Sequence, residues 1–208
     1  MATSREPPKA LLCDVDGVLR QWPSASLTGA DRAHGLPEGT LAATAFHPDH
    51  LLPAITGRVT DEEWREGIAT ALADRCGGPG RARSLVAAWT RVPGRVDREV
   101  EALLTAARSR VPVVLVSNAT TRLESDLAAL GLAELATDVV NTARVGVAKP
   151  DHRVYRIAAK RAGVAPEECA FVDDTEANVT ASVALGMAGV HHRGAADLRG
   201  ALERWGLV

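Results

Sequence analysis

What this 208-residue sequence lacks narrows the field before anything else does. No apolar run reaches the roughly 18 residues that cross a bilayer, so a membrane-spanning protein is not expected. Residues 1–8 are polar and proline-rich, without the apolar centre of a secretory signal, which predicts a cytoplasmic protein. The formal net charge is only −2, so no general field draws the chain to nucleic acid or to a membrane surface. Cysteine is sparse: Cys13, Cys76 and Cys169 make an odd set without a C-x-x-C pair. Cys13 and Cys169 sit inside apolar, strand-like runs and read as small buried hydrophobes in a reducing compartment. Lysine is scarcer than arginine. Of 24 basic residues only Lys9, Lys149 and Lys160 are lysines, so each is informative about where an ammonium is needed. Internal repeats and low-complexity tracts are missing as well.

What is present is ordinary globular material, 46% hydrophobic and 24% charged, in a length that suits one sizeable domain or one domain carrying an insert. The chain is organised around residues 10–19, Ala-Leu-Leu-Cys-Asp-Val-Asp-Gly-Val-Leu. The apolar run reads as a buried parallel strand. It stops at Asp14 and Asp16, which a continued strand would aim to the same face. Two like charges there repel, and desolvation adds to the cost, unless a cation sits between them. Gly17 turns the chain at the carboxyl end of the strand, where open α/β sheets bind their ligands.

The remainder falls into an irregular part and a regular part. Residues 20–93 begin with a Ser/Gly/Ala-rich loop at Trp22-Pro23 and show no strand-like alternation. Short helices are expected at 38–46 and 48–55. A capping box at Thr60-Asp61-Glu62-Glu63 opens a helix through Trp64, Ile68 and Leu72, which breaks at Cys76-Gly77-Gly78-Pro79-Gly80. A further helix spans 81–91. From residue 97 the pattern alternates. Helices are expected at 97–110, 121–130, 151–162, 175–185 and 195–205, and strands at 111–117, 138–141, 169–173 and 188–192. Uncharged strands alternating with helices predict an α/β fold with a parallel sheet covered on both faces.

Three of these strands end in polar residues able to act together. The first ends in Asp14 and Asp16, the second in Ser117-Asn118, and the fourth in Asp173-Asp174, with Asn178 following on the next helix. Lys149-Pro150-Asp151 lies between the latter two. Taken singly, each has a bland explanation. Ser117-Asn118 suits a helix cap, Lys149 a solvated charge, and Asp173-Asp174 a helix N-terminus complementing its dipole. Jointly, in this order and at strand ends, they point to a site.

The arrangement resembles the haloacid dehalogenase-like hydrolase superfamily, in the subfamily with a helical cap inserted after the first motif. Its four motifs stand here as Asp14-x-Asp16-Gly17-Val18-Leu19, Ser117-Asn118, Lys149-Pro150-Asp151 and Asp173-Asp174-x-x-x-Asn178. The resemblance covers residues 9–19 and 94–194. It implies a Rossmann-like, doubly wound parallel sheet as core domain (1–19 and 94–208) and a small α-helical cap domain (20–93). It also implies Mg²⁺-dependent phosphoryl transfer through an aspartyl-phosphate, with a small phosphorylated metabolite as substrate. Asp14 would be the nucleophile, and Asp16 the acid for the leaving oxygen and then the base for water. Asp14 and Asp174, with the Asp16 backbone carbonyl, would hold Mg²⁺. Asp173 would be either a ligand or a support behind the ligands. Ser117, the Asn118 N–H and Lys149 would bind the phosphoryl oxygens. Asn178 would tie its loop in place.

Val18 stands where many members have Thr, and no side-chain chemistry is assigned there. Dehalogenation is disfavoured because dehalogenating members lack the second aspartate that Asp16 supplies. Phosphonate cleavage through a cap lysine is set aside because residues 20–93 contain none. A phosphomutase acting on a sugar phosphate, and a non-catalytic binding or regulatory protein on the same fold, remain as alternatives. In the cap, Trp22 and Arg58 are the candidates for substrate contact, since an aromatic wall and a guanidinium suit a phosphorylated ligand. Trp64 and Trp89 read as cap core, His47-Pro48-Asp49-His50 as a loop and helix start, and His191-His192 as structural or exposed. The expected oligomeric state is monomer or homodimer.

Overall fold

The computed structural model describes residues 6–23, 25–92 and 94–208. The first five residues, which share in the cytoplasmic expectation, lie outside the described residues, as do positions 24 and 93 in the expected insert. The chain opens with β1 (Ala10–Cys13) and β2 (Arg20–Gln21). Five helices follow among the described residues: α1 (Ala25–Ala33), α2 (Thr40–Ala45), α3 (Pro48–Ile55), α4 (Asp61–Cys76) and α5 (Pro79–Thr90). Then come β3 (Arg95–Val96), α6 (Arg98–Arg108), β4 (Val113–Ser117), α7 (Leu123–Ala129), β5 (Asp138–Asn141) and α8 (Thr142–Val145). The chain ends with α9 (His152–Ala162), a 3₁₀ turn (Pro166–Glu168), β6 (Cys169–Asp173), α10 (Glu176–Val183), β7 (Ala188–His191) and α11 (Ala195–Arg204).

The main sheet has the order β5-β4-β1-β6-β7 and is parallel throughout. Leu12 of β1 pairs with Val114 of β4 on one side and Phe171 of β6 on the other. This is the α/β architecture expected, and its central strand is the one that carries Asp14. Successive residues of a strand face opposite ways, so the sheet feeds two separate cores. Leu11, Cys13, Val113, Leu115, Ala170 and Val172 pack with residues of α6, α7 and α11. Ala10, Leu12, Val114, Val116, Cys169 and Phe171 pack with Val154, Tyr155 and Ala158 of α9. Both faces are dry, which is why these strands read as uninterrupted apolar runs.

The segment between β1 and α6 leaves and rejoins the sheet through a two-stranded antiparallel ribbon, in which Arg20 pairs with Val96 and Gln21 with Arg95. Its helices build a third cluster around Leu41, Ile68, Leu72 and Leu85, with Trp64 and Trp89 in edge-to-face contact at 5.6 Å. The capping box of α4 forms as its spacing predicts. Glu63 N donates to Thr60 Oγ1 (3.2 Å) and Thr60 N to Glu63 Oε2 (2.7 Å). Among the described elements, β2, β3, α1 and the short α8 are not anticipated by the sequence. The ribbon strands are two residues long, too short for a period-two pattern to register. Helix α1 occupies what the Ser/Gly/Ala content suggested was loop; among its nine residues only Leu27 is large and apolar, so there is no apolar spacing to read.

Candidate active site

The site lies where β1, β4 and β6 end. Asp14 N makes the last ladder bond to Val172 O (2.9 Å), after which the chain folds back on itself. Leu19 N and Arg20 N both donate to Val15 O (2.9 and 2.7 Å), and Gly17 N to Arg20 O (2.8 Å). This tight turn needs Gly17, whose φ is +89°. A Cβ there would fall 2.0 Å from Asp174 Oδ2 and 2.5 Å from its Cγ. The carboxylate of Asp174 therefore rests over the bare glycine, beside Asp14.

Lys149 is buried between two carboxylates. Its Nζ is 2.8 Å from Asp14 Oδ1 and donates to Asp173 Oδ2 at 2.6 Å, over the Phe171 ring at 5.7 Å. Burial alone would lower the Lys149 pKa, but the Asp14 and Asp173 charges outweigh it and hold the ammonium above its ordinary value. Asp14, almost fully buried, is pushed up from the ordinary carboxylate range. Desolvation is the main cause; Lys149 opposes it, and the charges of Asp173 and Asp16 add to it.

Asp173 is fully engaged. Its Oδ1 accepts Thr175 N (2.8 Å) and Asn178 Nδ2 (3.0 Å), and its Oδ2 accepts Lys149 and, at 3.1 Å, Asn178 Nδ2. Asn178 is itself held from behind, its carbonyl accepting the buried Tyr155 hydroxyl (2.9 Å). Asn118 does something the sequence reading did not assign. Its side chain forms a reciprocal pair with the Lys149 backbone, Oδ1 accepting Lys149 N (2.8 Å) and Nδ2 donating to Lys149 O (3.0 Å). Two strand-end loops are locked together by that pair. Ser117 is buried at the end of β4.

Asp16 is half-buried and bound by a fork. Arg20 Nε donates to Oδ1 (2.6 Å) and Nη2 to Oδ2 (2.9 Å), while the Trp22 indole N–H reaches Oδ1 at 2.7 Å. Arg20 was not singled out from sequence; the available signal was an arginine four residues after a carboxylate, across a glycine turn. Trp22 thus stands at the site, half-exposed. Arg58 is exposed on the loop between α3 and α4, its backbone N–H bonded to Pro53 O (2.8 Å). His47 is the N-cap of α3, and His191 Nε2 lies 3.0 Å from Asp174 O.

Asp14, Asp173 and Asp174 each present an oxygen such that all three lie within 4.8 Å of one another. Asp174, held in a cradle that any side chain at residue 17 would fill, and Asp14, whose charge is disfavoured by burial, fit a small divalent cation, with Asp173, its oxygens engaged by Lys149, Asn178 and Thr175, behind them.

The fold and the site together define an α/β protein with an acidic, lysine-paired cluster at the carboxyl end of a parallel sheet. The haloacid dehalogenase-like hydrolase family matches residues 8–186, and the chain belongs to it. The chain is 38% identical over 127 residues to a phosphoserine phosphatase of Thermus thermophilus, a match covering 59% of this chain and 49% of that protein. It thus spans about half the length of that curated relative. Among solved structures, a haloacid dehalogenase family enzyme from Bacteroides thetaiotaomicron in complex with magnesium and inorganic phosphate superposes with a TM-score of 0.69 at 22% identity, over 87% of this chain and 92% of that one. An L-2-haloacid dehalogenase from Xanthobacter autotrophicus with chloropropionic acid covalently bound gives 0.63 at 21% identity, over 86% and 75%. These two likenesses concern the fold. Among the described residues, no helix is long and apolar enough to cross a membrane.

Proposed function

We propose that this protein is a Mg²⁺-dependent phosphatase that hydrolyses a small phosphate monoester through an aspartyl-phosphate. The observation that carries the reading is Asp14, buried against Lys149, with Asp174 set beside it over Gly17 and Asp16 two residues on. Family membership and the phosphoserine phosphatase relative support it.

An oxygen of Asp14 attacks phosphorus and the ester P–O bond breaks. The leaving oxygen takes a proton from Asp16, a step of the kind worth about 10²–10⁴-fold. In the second half-reaction a water gives its proton to Asp16 and attacks the phosphorus. The bond between phosphorus and Asp14 breaks, and inorganic phosphate leaves. Lys149, Ser117 and the Asn118 N–H hold the phosphoryl oxygens as charge spreads over them. Asp14 and Asp174 would hold Mg²⁺, which would neutralise charge on the transferring group. Asp173, its oxygens occupied by Lys149, Asn178 and Thr175, supports them from behind. Residues 20–93 form the cap over the core of 1–19 and 94–208, and Trp22 offers a wall beside the leaving group. The protein works in the cytoplasm, on a small phosphorylated metabolite.

The test is turnover of 4-nitrophenyl phosphate with Mg²⁺, with EDTA, and after Asp14→Asn. The expected result is hydrolysis that EDTA abolishes and that falls at least about 10³-fold in the variant. Undiminished turnover in EDTA or in the variant overturns the reading. Chloride release from 2-chloropropionate should stay at background.

A further inference from the structure

Arg20 belongs to none of the motifs that carry the phosphatase reading, yet its side chain is only 4% exposed and points at Asp16. A guanidinium taken from water is unfavourable unless its donors are met. Here they are: Nε and Nη2 grip the two oxygens of Asp16, and Nη1 reaches Asp126 Oδ2 of α7 at 3.3 Å. Asp126 is held in turn by Arg122 Nε at 2.8 Å. The charges alternate along Asp16, Arg20, Asp126 and Arg122, and join the turn after β1 to a core helix.

Two further features fix the fork. The guanidinium carbon lies over the Trp22 ring at 4.7 Å, and the indole N–H of the same residue donates to Asp16 Oδ1. On the other side the chain comes back through β3. A Cβ on Gly94 would lie 2.5 Å from Arg20 Cγ and 2.7 Å from its Cδ, so the glycine leaves the channel in which the arginine stem runs. The backbone is tied at both ends, by the Arg20–Val96 pairing and by Asp97 N donating to Leu19 O (2.9 Å).

We propose that Arg20 is a positioning residue, which with Trp22 and Asp126 fixes the direction of the Asp16 carboxylate towards the oxygen of the departing group. This rests on the phosphatase reading. The bidentate fork sets rotation as well as place, which a lysine cannot do.

Leaving-group dependence separates positioning from mere structure. An alkyl phosphate needs a proton on its departing oxygen, whereas the 4-nitrophenolate of an aryl phosphate leaves without one. Arg20→Gln and Arg20→Lys should therefore lower kcat on phosphoserine, an alkyl ester, at least roughly tenfold more than on 4-nitrophenyl phosphate, with KM moved less than about threefold. Asp126→Asn, which frees only the far end of the arginine, should shift the same ratio by about threefold and keeps the test alive if the buried Arg20 variants do not fold. Equal losses on both esters, or an unmoved ratio in variants of normal melting temperature, overturn the assignment while leaving the phosphatase intact. A wild-type protein that hydrolyses neither ester removes both.

Discussion

At φ +89°, with Asp174 2.0 Å from where a Cβ would stand, Gly17 is constrained twice over. The backbone conformation is unfavourable for any L side chain, and the space is already taken by a carboxylate. Gly17→Ala should cost about 1–3 kcal/mol of stability, as a forced left-handed residue does. The methyl group must also push Asp174 off its seat, so the Mg²⁺ concentration for half-maximal turnover should rise by roughly an order of magnitude. Thermal melting measures the first effect and a Mg²⁺ titration of activity the second. Unchanged Mg²⁺ dependence would show that Asp174 does not need that position. At this scale the site was readable in part. Asp14, Asp16, Asp173 and Asp174 could be named because carboxylates at strand ends are costly without a purpose, and Lys149 through the motif that resembles the family's. Arg20 could not, because what distinguishes it is the emptiness of Gly94, some 70 residues away in sequence, and only the fold brings the two together.

Among the elements, α4 shows how the insert is fastened to the sheet. The first backbone N–H groups of a helix have no partner within it. Glu63 N is met locally by Thr60, as the capping box announces. Asp61 N instead donates to Thr121 Oγ1 (3.0 Å), on the loop after β4. Thr120 Oγ1 donates to Asp61 Oδ1 (2.8 Å), and Arg65 lies 2.6 Å from Asp61 Oδ2. Burial pushes the Asp61 carboxyl up, opposed by the Thr120 hydroxyl and the Arg122 charge. The same loop starts with Ser117-Asn118, so the site and the insert share one anchor. Thr120→Val leaves that buried carboxyl short of a donor and should cost about 1–3 kcal/mol in urea denaturation. A loss of a few tenths would mean that water replaces the hydroxyl. Long, regular elements such as α4, β4 and β6 were legible because their apolar spacing repeats over several residues. The ribbon of β2 and β3 was not, since two residues show no period, and α1 was not, since Leu27 is its one large apolar residue and gives no repeat to read.

Over the whole molecule, the acid cluster links folding to pH, because folding changes how tightly Asp14 holds its proton. Asp14 is raised above the ordinary carboxylate value of about 3.9, chiefly by burial. As pH climbs from about 4, the unfolded chain gives up this proton before the folded one does. The native state then binds more protons, so this group makes stability fall as pH rises. His192 works in the opposite sense. Burial lowers its pKa, with Asp197, Asp97 and Asp174 opposing. The unfolded chain therefore protonates it first as pH drops below about 6.5, and stability present at neutral pH is lost towards acid. In EDTA, Asp14→Asn should remove the first slope and keep the second. The variant should be more stable than the wild type by at least about 1 kcal/mol at pH 8, and the two should converge only below about pH 4. Mg²⁺ should act where the mutation acts. At about 100 times its Kd it should stabilise the wild type by about 2.7 kcal/mol, or roughly 5–10 °C in melting temperature for a chain of this size. Asp174→Asn should lose most of that gain. Denaturation curves at pH 3–8, with and without Mg²⁺, decide the matter. If Asp14→Asn follows the wild-type profile, or if Mg²⁺ raises the melting temperature of Asp174→Asn as much as that of the wild type, then the charge held at the rim of the sheet is not what the cation relieves.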